Sequence, residues 1–100
     1  MDSTLNSNPP RLQMLVLDRT DRPQNMARFY VLSVEPTLFG DAALVREWGR
    51  WGHPGRRRLD LFPDFDKAAE ALEDWLLRKA RRGYRIVGRG DGEEELVGAE

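Results

Sequence analysis

The 100-residue chain contains no cysteine and a single histidine, His53. A disulfide framework and a zinc-thiolate site are excluded, and a reducing compartment, the cytoplasm, is the expectation. No apolar run approaches the ~20 residues that span a bilayer, so no membrane association is expected. Residues 1–10 lack the basic start and apolar centre of a signal peptide. Nucleophile–base pairs, a glycine-rich phosphate loop opening a helix and metal-ligand spacing are all missing. The chain is therefore read as a binding protein and not an enzyme, with no cofactor and no metal. Its length suits one domain with a single modest core, too small for a core plus an elaborate enclosed active site. Lysine is scarce as well: two lysines, Lys67 and Lys79, stand against fourteen arginines.

What is present is charge, segregated along the chain. The formal net charge is −1, yet all 16 Lys and Arg lie between Arg11 and Arg89. Asp91, Glu93, Glu94, Glu95 and Glu100 form an acidic cluster after them. A basic domain followed by an acidic tail is an arrangement found in nucleic-acid binders, where the tail competes with non-specific phosphate contacts. The densest stretch is Trp48-Gly49-Arg50-Trp51-Gly52, with Arg46 before it and His53, Arg56, Arg57 and Arg58 after it. Exposed indoles invite association and clustered guanidinium groups repel one another, so the segment reads as a contact surface.

Periodicity supplies the frame. Residues 1–10, ending in Pro9-Pro10, read as a disordered lead-in, and 88–100 as a flexible acidic tail. Between them, residues 11–87 form the domain. Alternation predicts a strand of about eight residues from Arg11, a second over 28–35, a third over 43–51 and a fourth over 56–62, with antiparallel pairing across short connections. After Pro63 the period changes to 3.6. Phe65, Ala68, Ala69, Leu72, Trp75 and Leu76 mark one amphipathic helix, capped by Asp66 or, second in preference, Asp64, and ended by Gly83. Residues 84–87 add a short last strand. The predicted class is α+β, a four- to five-stranded antiparallel sheet with one helix packed on one face. Alternation along the third strand separates Val45, Glu47, Gly49 and Trp51 from Leu44, Arg46, Trp48 and Arg50. Placing Trp51 in the core turns the second set to solvent, with Gly49 admitting the helix close to the sheet.

In this context Trp48-Gly49-Arg50 resembles the WGR domain, the module of poly(ADP-ribose) polymerases and of small bacterial proteins. The aromatic second strand Arg28-Phe29-Tyr30, the Gly52–Gly55 turn, the spacing of Phe65, Ala68 and Trp75, the late Lys79 and the closing Gly83-Tyr84 extend the likeness over about residues 11–87. The resemblance implies the same sheet-and-helix fold and recognition of broken or damaged DNA, with Trp48 stacking near a strand terminus and Arg50 bridging to nucleic acid or a neighbouring domain. The expected nucleic-acid-binding set is Trp48, Arg50, Arg46, Arg56, Arg57, Arg58 and His53, the arginines gripping phosphate through their planar forks. The alternative is a protein-interaction module whose same face receives an acidic partner or a second copy, as a monomer or weak homodimer.

Overall fold

A computed structural model of the chain describes residues 14–24 and 26–90. Five strands, β1 (Met14–Asp21), β2 (Met26–Pro36), β3 (Ala42–Arg50), β4 (Arg56–Phe62) and β5 (Arg85–Gly90), and one helix, α1 (Phe65–Arg81), follow one another, with α1 between β4 and β5. The sheet has the order β4-β3-β2-β1-β5 and every pairing is antiparallel. The α+β class read from the sequence is thus observed. The expected lead-in over 1–10 and the acidic residues 91–100 lie outside the described residues.

One face of the sheet carries the core. Leu15 and Leu17 of β1, Tyr30, Leu32 and Val34 of β2, and Ala42 and Leu44 of β3 are buried with Ala68 and Leu72 of α1. Alternation puts each of these strand residues on the same side, the side on which α1 lies over β2, β3 and β4. Phe62, Phe65, Ala71, Trp75 and Leu76 pack against the edge of this cluster.

Several boundaries differ from the sequence reading. The helix cap is Asp64 and not Asp66. Asp64 holds an extended backbone and its Oδ1 accepts a hydrogen bond from the Lys67 amide at 2.9 Å, whereas Asp66 is already inside the first turn. β5 continues through Gly88 to Gly90, because its backbone pairs with β1 as far as Met14. β3 stops at Arg50, so Trp51 belongs to the following turn, where Gly52 adopts φ +85°.

The orientation of β3 is the larger correction. Leu44, Arg46 and Trp48 face α1, while Gly49 and Trp51 lie on the far side with Phe29. Trp51 is 45 % exposed and tilted against the Phe29 ring at 5.1 Å. Gly49 admits no helix. It faces Gly55 and the Phe29 ring, and a Cβ at Gly55 would fall 2.7 Å from the Trp48 carbonyl oxygen and 2.9 Å from Phe29 Cζ. These two glycines let the turn after β3 fold back onto the strand beneath Phe29. Gly55→Ala is accordingly expected to lower the unfolding free energy by about 1–3 kcal/mol, measured by urea denaturation.

Candidate nucleic-acid interface

The helix-facing side of the sheet changes character along the strands. At one end it is aliphatic. Towards the tips of β1, β2 and β3 it becomes aromatic and then cationic. Trp48 is the ladder partner of Tyr30, and their rings stack at 5.6 Å and 14°. Tyr30 is also near-parallel to Trp75 of α1 at 6.3 Å and 22°, so the rings of Trp48 and Trp75 cluster around Tyr30, with Trp48 on the sheet side. Tyr84 closes the Tyr30 ring edge-on at 6.1 Å. Trp48 is half-buried, and its other ladder neighbour is Arg56.

Arg46 sits inside this cluster. It was expected at the solvent surface but is only 8 % exposed. Its guanidinium lies 4.0 Å from the Trp75 ring centre and 5.5 Å from that of Trp48. Nη1 donates to the Tyr30 hydroxyl at 3.1 Å and Nη2 is 3.6 Å from Asp60 of β4. Nε makes no hydrogen bond among the described residues. A charge so enclosed is tolerable only because aromatic faces, a hydroxyl and a carboxylate surround it. Arg46 therefore builds the interface from beneath instead of reaching out of it.

The outer cations are arranged in register. Arg19 of β1 opposes Arg28 of β2, and Arg28 opposes Arg50 of β3, three guanidinium-bearing residues side by side on the helix-facing side. Like charges directly opposite one another destabilise a ladder, and no ion pair is recorded for these three among the described residues. Arg28 and Arg50 also line an open concavity of about 370 Å³ with Gln24, Met26, Ala27 and Gly49. The Arg56–Arg58 run is split by alternation. Arg56 and Arg58 share the side of Trp48, Arg58 reaching Asp60 at 3.7 Å. Arg57, opposite Glu47, lies on the other side. His53 is exposed in the turn, its amide donating to the Arg50 carbonyl at 3.0 Å. Among the described residues no cluster of His, Cys, Asp or Glu could hold a metal ion, and no helix is long and apolar enough to cross a membrane.

The structure brings in cations that the sequence reading left outside the site. Arg28 and Arg19 join through strand register, a signal carried by counting two residues back from Tyr30 and two residues on from Leu17. Lys79 and Arg78 join through α1. The Lys79 ammonium lies 4.4 Å from the Tyr30 ring and 5.6 Å from Tyr84, and Arg78 lies 4.7 Å over Trp75. Burial, with the nearby Arg82 and Arg46 charges adding to it, lowers the Lys79 pKa below its usual 10.5. Desolvation is the first cause, since burial disfavours the charged ammonium, and the two guanidinium charges act in the same direction.

The fold and this face define a class: a module of one α-helix on an antiparallel sheet that presents cations around stacked aromatic rings. The family model for the WGR domain matches residues 13–91. The chain belongs to the WGR domain family. It is also 44 % identical over 71 residues to the uncharacterized protein y4dW of Sinorhizobium fredii, an alignment covering 71 % of this chain and 35 % of that protein. The aligned region thus spans about a third of the relative's length. No solved structure matches.

Removing Arg46 leaves Tyr30, Trp75 and Asp60 without their shared partner, whereas Arg50 has solvent around it. Arg46→Ala should lower stability by about 2–4 kcal/mol and Arg50→Ala by no more than about 0.5 kcal/mol, compared in parallel urea titrations.

Proposed function

We propose that the helix-facing rim of the sheet binds nucleic acid, DNA above all, at ends, nicks or single-stranded segments. The observation that carries this reading is the Arg19–Arg28–Arg50 row beside Trp48, an unfavourable line of like charges that a phosphate backbone would relieve. Trp48, half-buried and backed by Tyr30, offers an indole on which an unpaired base can stack, and Arg56 beside it is placed to meet that nucleotide's phosphate. Family membership supports the same partner. Binding, not catalysis, is the role assigned.

A second reading has its own support on the opposite face. Leu59 and Leu61 project from the edge strand β4 on the side away from α1 and are 51 % and 61 % exposed. An exposed edge with apolar side chains is suited to a protein contact, and a partner there would survive nuclease treatment.

Fluorescence anisotropy with blunt, nicked, single-stranded and circular DNA at rising salt tests the first reading. Affinity should fall steeply with salt, by a slope of about −2 to −3 in log K against log salt for three or so neutralised phosphates. Trp48→Phe, which retains packing on Tyr30, should reduce the preference for ends, while Arg50→Gln weakens all forms alike. Absence of binding at low salt contradicts the reading. Phosphate near the Lys79 ammonium favours its protonated form, so its pKa, followed by NMR, should rise towards 10.5 when DNA is bound.

A further inference from the structure

At the C-terminal end of α1 an open concavity of about 530 Å³ is lined by Arg19, Arg78, Arg81 and Arg82. The negative end of a helix dipole is reason enough for cations on the last turn, and Arg78, Arg81 and the capping Arg82 stand there. It gives no reason for Arg19. That residue comes from the C-terminal end of β1, already faces Arg28 across the ladder, and brings its side chain up to Gly83, where a Cβ would lie 3.4 Å from Arg19 Nε. Gly83 holds φ +95° to close the helix, and its bare Cα also leaves room for that guanidinium. No ion pair joins any of the four arginines to a carboxylate among the described residues. Four guanidinium groups around one hollow repel one another and together present a dense array of forked donors, which suits phosphoryl oxygens.

We propose that this four-arginine concavity is a second phosphate site, holding the backbone of the same nucleic-acid strand that reaches Trp48. The proposal rests on the nucleic-acid reading and gives it a direction: the strand runs from Trp48 across the Arg50, Arg28 and Arg19 row towards the end of α1. Arg19 is two strands and two residues away from Trp48 in the ladder, about 12 Å from strand spacing and rise. That is three to four nucleotides at ~3.4 Å each. A dinucleotide cannot occupy both sites, whereas a twelve-nucleotide strand can.

The test uses the full chain carrying Arg81→Gln and Arg82→Gln together, with Arg19 kept because it also belongs to the row beside Trp48 and Arg78 kept because it also covers Trp75. A urea midpoint equal to that of the unaltered chain establishes that the variant folds. Affinity for the twelve-nucleotide strand should drop about tenfold and its salt slope should shrink by about 1, while affinity for a dinucleotide stays within twofold. Unchanged affinity and slope for the longer strand overturn the second site and leave the reading at Trp48 standing. If the unaltered chain binds neither oligonucleotide, the nucleic-acid reading itself fails. Titration with inorganic tripolyphosphate, followed at the backbone amides of Arg19, Arg81 and Arg82, then decides the concavity separately. Saturable shifts that vanish in the double variant support a phosphate site, and flat titrations overturn it.

Discussion

The Arg46 guanidinium between Trp48 and Trp75 is the contact on which the arrangement of this protein depends. It joins β3 to α1 through the two indoles, to β2 through the Tyr30 hydroxyl and to β4 through Asp60. A buried cation is costly unless each of its faces and donors finds a partner, so this cluster tolerates little rearrangement. With Arg46 inward, strand alternation forces Leu44 and Trp48 inward too, and carries Arg50 to the open end of the same side.

The Trp-Gly-Arg motif is consequently divided along the strand and not across it. Trp48 rests on Tyr30. Gly49, on the reverse side, exists for the close approach of Gly55 and Phe29. Arg50, one step beyond the helix, shares a cross-strand row with Arg28 and Arg19. Packing and binding thus meet on one continuous surface, and residues that hold the sheet to the helix also fix where the outer cations stand.

Much of the fold was legible in the sequence because the signals there were local. The limits of β4 and the end of α1 just before Gly83 agree with period, proline and glycine position. The facing of β3 was not legible from that strand alone, since Ala42, Ala43, Leu44, Val45 and Arg46 are all buried and alternation offers no contrast. Taking Trp51 as a core residue then inverted the whole strand, although Trp51 lies past its end, in the turn. The decisive pattern was on the neighbours. Leu15, Leu17, Tyr30 and Leu32 occupy one side, and their register carries Arg46 and Trp48 with them. The site was legible in its residue types, and its membership was not. Arg19 and Arg28 are distant from the motif in sequence, and Arg46 has the composition of a phosphate ligand but the surroundings of a core residue.

A WGR domain built in this way has two unlike surfaces: a cationic and aromatic rim around the end of α1, and a more apolar sheet face edged by Leu59 and Leu61. The central claim is that nucleic acid is received on the first. Amide chemical-shift mapping by ¹H–¹⁵N NMR, with a short single-stranded DNA added to the full chain, tests it most directly. The account predicts that shifts gather at Arg19, Arg28, Trp48, Arg50 and the last turn of α1, while Val31, Val45, Leu59 and Leu61 stay unmoved. Shifts centred on Leu59 and Leu61, or none at saturating DNA, would contradict it.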